Sequence, residues 1–335
     1  MIREAIAKLV KQADLTEAEM TAVMNEVMTG GASPAQIGSF LTALRMKGET
    51  VEEITGAAKV MREKATKVDA PDGVVDTCGT GGDGSMTFNI STAAAFVASG
   101  AGLKIAKHGN RSVSSNCGSA DVLRALGVNI EAEVSRVEEC ISKAGIGFLF
   151  APMLHGAMKY AAPVRREIGI RSIFNVLGPL TNPAGARRQV IGVYDPALTD
   201  SLAKVLNNLG SERAFIVRGE DGLDEITLAD ATRVTELNAG SIRTYHISPE
   251  DFGFARCAPA DLKGGGPDEN ASIIMGVLEG RKGPARDIVL LNAAAAITAG
   301  GLAPRLEEGI ALAHGSIDSG EALARLEQLK DITNR

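Results

Sequence analysis

A chain of 335 residues exceeds the usual size of one domain, and at 45% hydrophobic and 23% charged residues it reads as folded and globular, which excludes long disorder. Its 35 basic and 41 acidic side chains give a net charge of -6, tryptophan is absent and aromatics are only 4%, so nucleic acid is excluded as the main partner while a local basic pocket for a small anion is not. No run of about 18 apolar residues marks a membrane span, and Met1 to Gln12 mixes charged with apolar residues in helical rhythm, so no membrane partner and a cytoplasmic location are expected.

Residues 1 to 70 predict an all-helical N-terminal unit. Thr16 with Glu19, and Thr50 with Glu53, have the capping-box spacing, and Ser33-Pro34 sets a cap before a proline at the first helical position. Ile37, Phe40, Leu41 and Leu44 share one helical face, as do Ile54, Ala57, Ala58 and Met61. So many apolar faces in so few residues call for cover by a later segment or by a second subunit.

Ala70-Pro71-Asp72-Gly73 is a turn cluster and marks a boundary, after which residues 71 to 335 predict an α/β unit. Short apolar strands at Val74-Val75, Leu103 to Lys107 and Gly147 to Ala151 alternate with helices at Ser91 to Ser99, Ala120 to Leu126 and Val134 to Lys143. That alternation predicts a mostly parallel central sheet flanked by helices. A helical, arginine-rich and proline-punctuated insert around 163 to 185 interrupts it and is expected to return to the N-terminal helices, making the small domain discontinuous. Strands at Gln189 to Tyr194 and Ala214 to Val217 flank a helix at Asp200 to Leu209. Arg233 to Leu237 and Ser241 to His246 then form a hairpin through Asn238-Ala239-Gly240, and the remainder is helical.

Four polar constellations carry the chemistry. Gly79, Gly81, Gly82 and Gly84 fall within six residues and lead into Asn89, Ser91 and Thr92 at a helix start, where backbone N–H groups can converge on phosphate. The loop lacks the Lys-Ser or Lys-Thr pair of a Walker A motif and the spacing of a Rossmann fingerprint; a tight turn with ordinary caps is the plainer reading. Lys107 to Ser119 is a second polar loop after a neighbouring strand, so both loops are expected to open onto one crevice. Within it His108 can serve as acid or base, as a ligand contact, or structurally. Asp224-Glu225, after Gly222, suits a hard divalent cation if it lies beside the phosphate loops and is solvated surface otherwise. Arg165, Arg166 and Arg171 offer guanidinium forks for a carboxylate or pair with local acids such as Glu167. The four cysteines, Cys78, Cys117, Cys140 and Cys257, are widely spaced and form no CxxC pair, so they predict reduced structural thiols.

Taken together, Asp76-Thr77-Cys78-Gly79-Thr80-Gly81-Gly82-Asp83, Thr87-Phe88-Asn89-Ile90-Ser91-Thr92, Lys107-His108-Gly109-Asn110-Arg111, Gly118-Ser119-Ala120-Asp121-Val122-Leu123, Pro163-Val164-Arg165, the run from Phe174 to Pro183 and Asp221-Gly222-Leu223-Asp224-Glu225 resemble, in order, the anthranilate phosphoribosyltransferase family of tryptophan biosynthesis. The resemblance implies transfer of the phosphoribosyl group of 5-phosphoribosyl 1-diphosphate (PRPP) to the amine of anthranilate, with Mg²⁺ as cofactor and a homodimer joined through the helical domain. Carried onto this chain, it places Gly79, Asn110 and Arg165 on anthranilate. It places Gly79, Gly82, Asp83, Thr87, Asn89 to Thr92 including Ile90, Lys107, His108, Gly109, Asn110, Arg111, Ser112, Val113, Ser114, Ser115 and Ser119 on PRPP. Ser91, Asp224 and Glu225 would serve the metal, and no residue acts covalently. A pyrimidine nucleoside phosphorylase, similar in fold and glycine loop, is the enzymatic rival; it has no evident need for the acidic pair.

Overall fold

The computed structural model describes residues 1–111 and 116–335. The chain opens with four helices, α1 (Ile2–Leu9), α2 (Glu17–Met28), α3 (Pro34–Lys47) and α4 (Val51–Lys64). Each of α2 to α4 begins at a complete capping box. Thr16 Oγ1 accepts from Glu19 N–H at 3.2 Å while the Glu19 carboxylate accepts from Thr16 N–H at 2.9 Å, and Thr50 with Glu53 repeats the exchange. Ser33 closes its box with Gln36, a partner the sequence reading did not single out.

The α/β part runs β1 (Val75–Thr77), α5 (Ile90–Gly100), β2 (Ile105–Gly109), α6 (Ser119–Ala125), α7 (Val134–Glu139), β3 (Ile146–Phe150), α8 (Ala151–Leu154), α9 (Ala162–Ile168), α10 (Phe174–Leu180), β4 (Arg188–Gly192), α11 (Ala197–Asn208) and β5 (Arg213–Gly219). It ends with β6 (Thr232–Asn238), β7 (Ser241–Ile247), α12 (Pro267–Leu278), α13 (Pro284–Ala299), α14 (Leu306–Asp318) and α15 (Glu321–Thr333). The single helix expected over Val134 to Lys143 is α only as far as Glu139; Cys140–Ala144 widens into a π turn before Gly145 reverses the chain at φ 81°.

The described strands form one seven-stranded sheet in the order β3-β2-β1-β4-β5-β6-β7. The first five pair in parallel, and β6 and β7 continue as an antiparallel hairpin turning at Ala239 and Gly240, both at positive φ. After β1 the chain steps outward to β2 and β3, then crosses back to β4 on the other side. The carboxyl ends of β1 and β4 therefore flank the point where strand order reverses, the position at which open α/β sheets bind ligands.

Both faces are covered, which explains why β1, β2 and β3 are buried at every position. On one face the alanine-rich α5 lies against α13, where small side chains let two helices approach closely, and α14 and α15 complete the layer over Ile105, Ile146, Val190 and Phe215. On the other face α10 and α11 meet α4, and Ile191, Val193, Ala214 and Ile216 share an apolar cluster with Met24, Phe40, Ile54, Val164 and Leu177. The apolar faces of the N-terminal helices are thus covered largely within the chain, by α9, α10 and α11. Among the described residues no helix is long and apolar enough to cross a membrane.

Candidate active site

The glycine loop leaves the C-terminal end of β1 and leans on the end of β4. Thr80 N–H donates to the Gly192 carbonyl at 2.8 Å, and Tyr194 N–H donates to Thr80 Oγ1 at 3.2 Å. A Cβ on Gly79 would stand 3.1 Å from Asp224 Oδ2 and 3.3 Å from the Gly192 carbonyl, so a side chain there would crowd both by a few tenths of an ångström. Gly81 and Gly82 lie at φ 64° and 83°, a left-handed stretch that turns successive N–H groups into a nest. One of these, on Gly81, already donates to Asp224 Oδ2 at 3.0 Å. A plain turn needs no such carboxylate beneath it.

The N-terminus of α5 supplies the facing wall. Asn89 is not an ordinary cap: its amide donates to the Cys117 carbonyl at 3.1 Å and its oxygen accepts from Asn270 at 3.0 Å, stitching the helix start to the β2 loop and to α12. Ser91 N–H donates to Glu225 Oε1 at 3.1 Å. Lys107, buried on β2, reaches under the helix to the Thr77 carbonyl and lies 3.4 Å from Ser91 Oγ. Ile90 is buried and packs the helix start, Thr92 Oγ1 is buried without a partner among the described residues, and Thr87 bridges to Lys263 as a strand would.

Three acids converge on this point. Asp224 N–H donates to Asp83 Oδ2 at 3.3 Å, and Asp83 also accepts from Ser85 N–H at 3.2 Å. Burial raises the Asp224 carboxyl well above its ordinary range, and the neighbouring Asp83 and Glu225 push it the same way. Burial likewise lifts Glu225 to about 7, against the pull of Lys107 and the Ser91 hydrogen bonds. Carboxylates this close resist joint ionisation unless a cation joins them, and one or two carboxylates beside phosphate oxygens are how Mg²⁺ is ordinarily held. The donor set fits a divalent cation.

Asp76, Cys78 and His108 place ligand atoms within 4.8 Å of one another on the other side of β1 and β2. Asp76 and His108 are engaged by protein partners instead, and the Cys78 thiol faces the Gly79 carbonyl at 3.6 Å. Asp76 accepts from His108 N–H at 3.0 Å and from Asn182 at 2.8 Å. The Gly178 carbonyl, 3.1 Å from His108 Nδ1, can only accept, so Nδ1 carries the proton and Nε2 accepts from His155 Nε2 at 3.2 Å. Burial lowers the two histidines to about 3 and about 4, keeping both neutral, and raises Asp76 to about 6. Lys107 and His108 leave β2 on opposite faces, so the Lys107 ammonium lies under the glycine loop while the His108 ring meets the insert.

In the second loop, the Asn110 carbonyl accepts from Ser119 Oγ at 3.3 Å and from Ala120 N–H at 3.2 Å, and a Cβ on Gly109 would strike Ser119 and Phe148. Arg111 is exposed, paired with Glu131 at 3.4 Å. Ser112, Val113, Ser114 and Ser115 lie outside the described residues. The three insert arginines separate. Arg165 is half-buried with its guanidinium 5.0 Å over the Phe174 ring and no ion pair among the described residues, Arg166 is exposed, and Arg171 reaches the glycine loop. Sequence reasoning missed Gly192, over whose Cα the Asp224 backbone passes with no room for a side chain, and Asn270, the buried polar residue of α12.

The helical bundle domain of the glycosyl transferase family matches residues 3–65, and the a/b domain of the same family matches residues 71–323. The anthranilate phosphoribosyltransferase of Geobacter sulfurreducens is 56% identical, with 100% of each chain covered. The crystal structure of the Thermus thermophilus anthranilate phosphoribosyltransferase superposes with a TM-score of 0.93 at 44% identity, covering 99% of both chains. That of the Saccharomyces cerevisiae enzyme in complex with PRPP and Mg superposes with a TM-score of 0.89 at 33% identity, covering 99% of this chain and 98% of the yeast chain. The yeast enzyme has also been solved with 4-fluoroanthranilate. The chain belongs to the glycosyl transferase family that joins a helical bundle to an α/β domain. Within it, the chain falls among the anthranilate phosphoribosyltransferases, which are pentosyltransferases.

Proposed function

We propose that this enzyme transfers the 5-phosphoribosyl group of PRPP to the amine of anthranilate, giving N-(5-phosphoribosyl)anthranilate and diphosphate, as a step of tryptophan biosynthesis. The observation that carries the reading is the meeting, at the strand reversal between β1 and β4, of a left-handed glycine nest, a helix N-terminus and a half-buried acid group. A nest and a helix start favour an anion; clustered acids repel one. Only a phosphate ligand bound together with a cation satisfies both.

In this reading the N–H groups of the glycine loop, with Asn89, Ser91, Thr92 and Lys107, hold the diphosphate and the sugar phosphate. Asp224, Glu225 and Ser91 hold Mg²⁺, directly or through water, and bound Mg²⁺ supplies charge neutralisation for the leaving group. The C1–O bond to diphosphate breaks as the anthranilate nitrogen bonds to C1, and the amine then releases a proton to solvent. An aromatic amine is unprotonated at neutral pH, so the protein needs no strong base. Its share is alignment of two substrates and stabilisation of charge on the departing oxygens. Arg165, with Gly79 and Asn110, orients anthranilate through its carboxylate, which a desolvated guanidinium fork suits. The helical unit of 1–70 with the insert at 163–185 carries Arg165 against the α/β unit of 71–335, acts in the cytoplasm, and forms a homodimer through its helices.

The test is loss of anthranilate fluorescence on mixing the protein with PRPP and Mg²⁺, run beside a mixture of phosphate and a pyrimidine nucleoside. Turnover is expected only in the first. Turnover in the second, or PRPP consumption indifferent to Mg²⁺, would reject the assignment.

A further inference from the structure

Arg171 lies between α9 and α10, on the inserted helical segment, yet its hydrogen bond goes to the α/β part. Nη2 donates to the carbonyl of Gly82, and the guanidinium stacks over the Tyr194 ring at 4.3 Å from its centroid. Tyr194 is itself tied to the loop, since its N–H donates to Thr80 Oγ1 at 3.2 Å. Arg171 forms no ion pair with a carboxylate among the described residues. Its plane fills the place a side chain on Gly82 would take: a Cβ there would stand 3.3 Å from Nη2.

No cis peptide bond occurs among the described residues, so the Gly82–Asp83 peptide is trans, with its carbonyl and its N–H pointing in opposite directions. Fixing the Gly82 carbonyl on Arg171 therefore aims the Asp83 N–H away from Arg171. Neither that N–H nor the one on Gly82 finds an acceptor among the described residues. Without the arginine, two consecutive glycines would leave this peptide free to rotate, and the N–H would point into the nest only part of the time.

We propose that Arg171 is a positioning residue of the phosphate loop, one that locks the Gly82–Asp83 peptide with its N–H toward the bound diphosphate and adds an unneutralised positive charge behind it. The proposal rests on the reading that this loop holds the diphosphate of PRPP. It assigns Arg171 to the sugar-phosphate substrate, whereas Arg165 serves the acceptor. A guanidinium is needed because it must donate in plane to a carbonyl while stacking on a ring, which an ammonium does not do.

Calorimetric titration of PRPP with Mg²⁺, without anthranilate, into wild type, Arg171→Ala, Arg171→Lys and Tyr194→Leu tests it, together with both KM values and the melting temperature. Arg171→Ala is expected to weaken PRPP binding about tenfold or more, with the KM for anthranilate and the melting temperature unmoved. Arg171→Lys should recover only part of the loss, Tyr194→Leu should lose less than the alanine variant, and millimolar guanidinium should restore part of the alanine variant's affinity. Unchanged PRPP binding in Arg171→Ala, a rise confined to the anthranilate KM, or full recovery by lysine would overturn the proposal. Absence of PRPP binding by wild type would instead reject the underlying reading.

Discussion

Two parts of this molecule draw carboxylates out of water, one fully and one in part, and they do so to opposite ends. In the helical bundle, Glu53 is fully buried and wholly satisfied: it accepts from Leu15 N–H at 2.9 Å and Thr50 N–H at 2.8 Å, and pairs with Lys47 at 2.9 Å. In the crevice, Asp224 and Glu225 are adjacent and half-buried, Asp83 accepts from the Asp224 N–H at 3.3 Å, and desolvation raises both carboxyls. The first arrangement holds helices together. The second stores an unresolved repulsion that a ligand relieves, which is how a site departs from the rules the rest of the fold obeys.

Breaking the second arrangement should have the largest effect. Asp224→Asn with Glu225→Gln removes the cation ligands with little change of shape, so kcat/KM is expected to fall about a hundredfold or more, two lost contacts at about 1.4 kcal/mol or more each. The melting temperature of the ligand-free protein should hold or rise. A fall in both would mean that these acids support the fold. Glu53→Ala should do the reverse. Lys47 keeps its pairing with Asp14 at 2.7 Å, but leaving the Leu15 and Thr50 N–H groups without their acceptor costs about 3 kcal/mol, read by denaturant unfolding, with kcat/KM unchanged at temperatures where the protein is folded.

Arg165→Ala should raise the KM for anthranilate about tenfold and leave that for PRPP nearly unmoved. Steady-state kinetics with each substrate varied in turn separates the two. The smallest effect is a proton. Glu225 is lifted from 4.5 to about 7, so its protonated form stabilises the fold fully below about 4.5 and that contribution is lost as pH rises through about 7. Cation binding must displace this proton. Titration of Mg²⁺ and PRPP in buffers of different ionisation enthalpy should show proton release at pH 6.5 and almost none at pH 8.5. His108 and His155, lowered by burial, act in the opposite sense, destabilising the fold as pH falls below about 6.5, so the ligand-dependent difference is the quantity to follow.

Much of this was legible in the chain because it is local. Capping boxes at Thr16 and Thr50 and the hairpin turn at Asn238 to Gly240 each rest on a few adjacent residues whose chemistry fixes the backbone. The glycine loop announced itself by density alone. What the sequence withheld is long-range: Asn270 lies 181 residues from the Asn89 it bonds, and nothing in an asparagine among other polar residues at a helix start signals a partner. The fate of the three insert arginines was equally hidden, since residues a few positions apart on turning backbone reach Phe174, solvent and Gly82 respectively. His108 and Lys107 are neighbours in sequence, and the pleat of β2 sends them to different chemistry.

β1 is only three residues long, and it lies third of seven in the sheet, between β2 and β4. It registers with β2 at a single pair and with β4 at three, so the glycine loop takes its placement from its neighbours more than from its own strand. Amide exchange should accordingly be slowest along the β4 seam. Lesions that loosen Val190 or Phe215, buried beneath that seam, would then be felt as poorer substrate grip well before the protein melts.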